Sequence, residues 1–461
     1  MEVSTGSGAA LEAYERALDH LNGYSASALA DADEAIARDP GFVGGHLLKA
    51  SMAVMSSDLP LEGMLREAVE AAERLAPAAN ARERRLTAAA RAWLERDFER
   101  SMRLFGDVAI DHPRDALAVQ TAHAGDFLLG KQTQLRDRIA QVLHAWDEGV
   151  PGYGYVLGMY AFGLEETGDY RRAEEIGRRA VALLPHDAWA AHAVAHVLEM
   201  EARVAEGIDW IARTSAAWLP DNALAYHNHW HRALYHLDLG DAASALALLD
   251  AKIRPGRSQA AMELVDASAL LWRLRLLGHD VGDRFGPLAD DWAERIDDGY
   301  YAFNDVHALL AFLGAGRDAE AARLVGSLKR HAEGPGTNAR VIREVGIPLA
   351  CAFVAFERGD HETCVETLLA VRPVAVRFGG SNAQRDLLSL TLVEAALRGG
   401  RTSVAKAIAS ERMRLKPSSP LAWSFAARAA EAAGEGARAT HAREQAERLR
   451  AGFLRAVVRA A

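Results

Sequence analysis

A glycine followed at once, or within two residues, by a polar helix-starting side chain recurs along this chain, and its spacing limits the fold more than any other feature. It is found at Gly168-Asp169, Gly240-Asp241, Gly278-His279-Asp280, Gly316-Arg317-Asp318, Gly359-Asp360, Gly400-Arg401 and Gly434-Glu435. Gly168 and Gly240 lie 72 residues apart, two repeat lengths, and later intervals run from 34 to 43 residues. Glycine supplies the left-handed backbone that ends one helix, and a short polar side chain starts the next. Ala245, Ala321, Cys364, Ala405 and Ala439 follow five positions after a turn, where closely packed helix pairs need small residues. The clearest copy runs from Gly163 to Pro185, with Ala173 and Ala180 as packing positions and Pro185 as the stop. Helix pairs of this period bury their apolar faces only by stacking on their neighbours.

Composition agrees with that reading. Hydrophobic residues make up 50 % of the chain but aromatics only 7 %, so the interior is built from alanine and leucine, which suits close-packed helices rather than a sheet. No segment alternates with period two. The breaks at Pro151-Gly152, Pro255-Gly256 and Gly334-Pro335-Gly336 read as interhelix loops, because the repeat resumes after each. The expectation is an all-α, tetratricopeptide-like helical-repeat superhelix (an α-solenoid), one domain over residues 1–461, curled around a central channel.

Several function classes are set aside on the same grounds. Net charge is −10 with both signs interspersed, and the absence of a basic tract argues against a nucleic-acid partner. No apolar run approaches the roughly 18 residues of a membrane span, so no membrane partner is expected. The N-terminal stretch lacks the features of a signal peptide. Cys351 and Cys364 are too few for a disulfide framework or a cysteine zinc module, and read as reduced core thiols of a cytoplasmic protein.

One stretch breaks the repeat's own rules. Between Trp189 and Gly240 lie six of the seventeen histidines: His192, His196, His227, His229, His231 and His236. With Pro220 taken as the end of a unit, His192, His196 and Glu199 fall on packing positions of its first helix. Together with Trp189 they form one stripe at spacings of three and four. His227, Trp230, His231 and Leu234 form a second stripe in the next unit, with His229 and His236 on the opposite face. First helices of successive units stand side by side, so the stripes are expected to converge. The bland alternative is a buried polar network that serves packing alone. A divalent metal at the cluster is compatible with the spacing, with ligands expected from His192, His196, Glu199 and His231. HAVAH lacks, however, the glutamate that zinc peptidases carry after the first histidine, and no cofactor fingerprint is present.

Two outlying stretches join the candidates. In YAFNDVH, Asn304 or Asp305 is expected to cap a helix, leaving His307 in its first turn. In GGSNAQRD, Ser381 and Gln384 fit a capping box, while Arg385 and Asp386 exceed what capping needs and suit an anionic substrate group.

With these residues assembled, the chain resembles the tetratricopeptide repeat protein 38 family. The resemblance rests on YGYVLGMYAFGLEETGDY (153–170), DAWAAHAVAHVLEME (187–201), HNHWHRALYHLDLGD (227–241), FNDVHALLAF (303–312) and GGSNAQRD (379–386). It implies an α-helical superhelix and carries little function over. The matching motif residues are His192, His196, Glu199, His227, Trp230, His231, His307, Gln384, Arg385 and Asp386. His229 stands where an aromatic is expected.

Two functional expectations follow. In the first, His192, His196, Glu199, His227 and His231 do acid–base work on a small polar organic ligand in the channel, with Trp189, Trp230, His307, Gln384, Arg385 and Asp386 binding it. In the second, the protein is a scaffold that holds a peptide segment in its groove.

Overall fold

The computed structural model describes residues 2–218 and 222–460. Among them, helix follows helix from Gly8 to Ala460, and the one extended pairing is an isolated bridge between Ser25 and Asn222. The protein is an all-α helical repeat, as its spacing requires. Pro220, read as the end of a repeat unit, lies outside the described residues. No described helix is long and apolar enough to cross a membrane.

The glycine turns act as their chemistry demands. Gly168, Gly240, Gly278, Gly316, Gly359, Gly400 and Gly434 all have φ between 68° and 84°, where a Cβ would clash with the neighbouring carbonyl. After three of these glycines an aspartate caps the next helix. Asp169 accepts from the amide of Arg172, Asp241 from Ser244 and Asp360 from Thr363. The same turn also occurs where no sequence signal marks it. Arg96 (φ 66°) precedes the cap Asp97, and Ala202 (φ 54°) precedes Arg203 at the start of Val204–Trp218. A non-glycine residue bears roughly 1–2 kcal/mol there, small enough for tertiary packing to absorb.

The chain divides into two compact units, each built from separated stretches. The first comprises residues 1–194, 214–225 and 333–340; the second comprises 195–213, 226–332 and 341–461. Neither composition nor repeat spacing announces this division.

In the first unit, the turn at Arg96 receives a late segment of chain. The Thr337 amide donates to the Arg96 carbonyl at 3.0 Å, and the Thr337 hydroxyl accepts from the Glu99 amide at 3.3 Å. Arg340 then pairs with Glu99 at 2.7 Å. Arg82 and Asp115 form a buried ion pair at 2.6 Å. Asp187, fully buried, caps helix Ala188–Met200 by accepting from the amides of Trp189 and Ala190 at 2.9 and 3.1 Å. Burial pushes its carboxyl up to about 7.

Two tryptophans of the second unit keep their N–H groups satisfied. Trp272 donates to Thr391 Oγ1 at 3.2 Å and Trp292 to Ser268 Oγ at 3.0 Å, all in the buried core. Cys364 is buried as expected, but Cys351 is exposed on helix Ile347–Glu357, which corrects its reading as a core thiol.

Candidate functional site

Helix Ala188–Met200 presents His192, His196 and Glu199 at successive turns. The boundary between the units falls between His192 and His196.

On the first unit's side, Trp189 stacks on Tyr24 with centroids 5.5 Å apart and sits 5.0 Å from the His192 ring. Phe162 stacks on His192 at 5.4 Å, and His123 meets Trp189 edge-on at 5.7 Å. Burial holds His123 down to about 3, so it is a neutral member of an aromatic cluster.

In the second unit the two stripes meet. His196 and His231 have ring centroids 4.3 Å apart at 58°, and His227 stands edge-on to His231 at 5.0 Å and 86°. None of the three is more than 2 % exposed. His231 donates from Nδ1 to Glu199 Oε2 at 2.9 Å, and His227 donates from Nδ1 to Asp266 Oδ2 at 2.7 Å. A carboxylate on Nδ1 fixes the tautomer and leaves the lone pair on Nε2. Burial, then the neighbouring imidazole, holds both His196 and His231 well below the usual histidine range. They are neutral at pH 7. Burial also raises the Asp266 carboxyl, against the pull of His227. Trp230 stacks on His227 at 5.3 Å and closes the cluster from one side.

Asp266 belongs to helix Ala261–Leu276, which also supplies Arg273. The Arg273 guanidinium lies 5.3 Å from the Trp230 ring centroid. It donates to the carbonyls of Ala269, Ala383 and Gln384 at 3.2, 2.8 and 3.1 Å, and among the described residues no carboxylate bonds it directly. Burial pulls it down to about 10. It borders a cavity of about 50 Å³ that is also lined by Glu199, Asp386, Arg412, Lys416 and Ser419. Arg412 holds Asp386 through two contacts of 2.5 and 3.1 Å, and Lys416 Nζ lies 3.4 Å from Glu199 Oε1. Arg412 and its neighbours hold Asp386 at about 2, despite burial.

Glu199 is therefore shared, with one oxygen on His231 and the other toward Lys416 at the cavity wall. This revises the ligand set expected for a metal. Glu199 stands behind an imidazole as its acceptor, and His227, expected among the catalytic imidazoles but not among the metal ligands, stands edge-on to His231.

The outlying candidates have local partners. His307 Nδ1 donates to the Phe303 carbonyl at 2.7 Å, and burial lowers its ring to about 4, with Arg273 also lowering it. Asn304 and Asp305 do not cap their helix, which begins at Ala302 after the extended Tyr301 (φ −144°) and so places both inside its first turn. Burial raises the Asp305 carboxyl. Ser381 and Gln384 form the expected capping box, each side chain accepting from the other's backbone amide at 3.1 and 2.9 Å. Arg385 turns back on the Gly379 and Gly380 carbonyls and on Asn382 Oδ1. On the opposite face of the histidine helix, His229 is lowered to about 4, chiefly by burial, and His236 pairs with Asp241 at 3.1 Å.

Asp266, Arg273, Arg412 and Lys416 were not singled out from sequence. Asp266 and Arg273 did leave a signal, as charged residues inside an otherwise apolar helix.

No protein-family profile matches the chain. Human IFIT1, solved as a dimer with PPP-AAAA, is similar at 14 % identity and a TM-score of 0.42, over 95 % of this chain and 94 % of that one. The human IFIT1 dimer with m7Gppp-AAAA is similar at 12 % identity and a TM-score of 0.37, over 96 % and 91 %. Naa15/Naa10 bound to HypK-THB is similar at 13 % identity and a TM-score of 0.25, over 94 % and 67 %. Likeness at these scores carries no argument about what this chain binds. It does correct one expectation. The expectation of no nucleic-acid partner is withdrawn, because structures with PPP-AAAA and m7Gppp-AAAA, both RNA, are among the similar ones.

Proposed function

We propose that the second unit holds an enclosed site for a small polar molecule bearing an anionic group, and that Glu199 and the imidazoles behind it perform acid–base chemistry on that molecule. The observation that carries this reading is the double attachment of Glu199, to His231 within the cluster and to Lys416 at the cavity. Among the described residues no carboxylate bonds the buried Arg273 guanidinium directly, and a bound anion would compensate its charge. A cavity of about 50 Å³ admits a group the size of a carboxylate or phosphate. Burial makes neutral His196 and His231 weak bases at pH 7, so proton transfer falls on Glu199, with His231 hydrogen-bonded behind it.

A thermal-shift and calorimetric screen with short mono- and dicarboxylates and inorganic phosphate tests this. One probe class is expected to raise the melting temperature of the parent, and Lys416→Ala to abolish that rise. His196→Ala, which restores a residue the repeat accepts, is expected to melt within a few degrees of the parent and to lose turnover of the substrate found. No response to any probe, or a response unchanged in Lys416→Ala, refutes the reading. A groove of about 500 Å³ lined by Met413, Trp423, Arg438 and His441 favours the second reading, a peptide-binding scaffold. A clear fall in His196→Ala stability with binding intact would select that scaffold.

A further inference from the structure

The imidazole cluster is built in a way that proton transfer alone does not require. His196, His227 and His231 come from two helices, Ala188–Met200 and Ala225–Leu239. Their rings meet tilted or edge-on rather than face to face, so nitrogen-bearing edges converge. One nitrogen from each lies within 4.8 Å of the others. For His227 and His231 the Nδ1 atoms are engaged by Asp266 and Glu199, so each would ligate through Nε2.

A carboxylate behind each imidazole is the outer layer that orients histidines on a metal and raises their donor strength. Nitrogens bound to a common ion at 2.0–2.1 Å stand about 3.3 Å apart in a tetrahedral site. Small ring rotations reach that separation from the present bound. The carboxylates of Asp266 and Glu199 behind the rings offset part of a dipositive ion's charge. A buried ion without such compensation is costly.

We propose that His196, His227 and His231 bind one divalent transition-metal ion through an all-imidazole face, with Asp266 and Glu199 as outer carboxylates that position the rings. Imidazole donors select zinc, iron, cobalt, nickel or copper over magnesium and calcium. Three protein ligands leave a coordination position for water or substrate, the pattern of catalytic rather than structural sites. The inference shares Glu199, His196 and His231 with the site proposed above: a bound metal takes the imidazole lone pairs, while the anion-binding half of that reading is independent of it.

The test uses the full chain without a polyhistidine tag. Protein stripped with a chelator and confirmed folded by circular dichroism is titrated with cobalt(II), and zinc is added in competition. The expected result is close to one equivalent of cobalt with visible d–d absorption, displaced by zinc. His227→Ala and His231→Ala should lose the band, and Asp266→Asn should weaken uptake about 10- to 100-fold at unchanged stoichiometry. His279→Ala, at an interhelix turn, should bind as the parent does. If an alanine variant fails to fold, the parent's stoichiometry and the Asp266→Asn affinity decide the matter. No uptake by folded parent overturns the proposal, as does uptake unchanged in the folded variants of this set. Lys416→Ala separates the two readings. It should keep the cobalt while losing the anion response, so failure of one leaves the other standing.

Discussion

Asp187 lends itself to a quantitative test because its two roles pull in opposite directions. As a cap it satisfies the amides of Trp189 and Ala190, and as a fully buried carboxyl it resists ionisation up to about pH 7. An unfolded aspartate titrates near 3.9. The folded value is the higher one, so the contribution to stability is complete below about pH 4 and declines as pH rises through 7. The slope is about 1.4 kcal/mol per pH unit between those limits, and the total loss is of the order of 4 kcal/mol above them. Asp187→Asn keeps an acceptor oxygen for both amides, asparagine being as good a cap as aspartate, and removes the titration. Urea unfolding of parent and variant, followed by tryptophan fluorescence from pH 4 to 8, measures the difference directly. The variant should match the parent near pH 4, gain steadily, and level off above pH 7 as the more stable protein. A difference that does not change with pH, or a parent more stable at pH 8, would refute the assignment.

Asp386 should behave in the opposite sense. Its folded value of about 2 lies below the unfolded one, so Asp386→Asn should cost roughly 2 kcal/mol at pH 7, a penalty that fades between pH 4 and pH 2. Ser381→Ala removes one half of the capping box and should lower urea stability by about 1 kcal/mol, while Thr402→Ala, at a helix start with no side-chain cap, should change it far less.

What could be read in advance follows from how local each determinant is. The turn at Gly168-Asp169 is written in two adjacent residues, because φ and the cap are set within one turn of chain. Arg96 and Ala202 escaped notice for the complementary reason: the same backbone is imposed there by packing, and no residue type betrays it. The meeting of His196 with His231 was legible from helical spacing on each stripe. Asp266, Arg412 and Lys416 were not, since they approach from helices distant in sequence, and no periodicity within one helix points at another. Asn304 and Asp305 were misplaced by a few residues because a good capping side chain marks a helix start only where the preceding backbone is extended, and here that residue is Tyr301.

The small clasp that Thr337 and Arg340 make on Arg96 and Glu99 has a temporal consequence. A ribosome delivers the first unit's longest stretch, ending at residue 194, well before residues 333–340 exist. At 5–20 residues per second the interval is roughly 7–28 s. During that time the Arg96 carbonyl and the Glu99 amide face water instead of their partners, and the first unit stands unfinished beside a growing second one. Nascent chains arrested short of residue 333 should therefore be cleaved by protease near the Arg96 turn, and chains extended well past residue 340 should resist. The order of synthesis, and not only the order of stability, then decides which half of this protein is first at risk of aggregation.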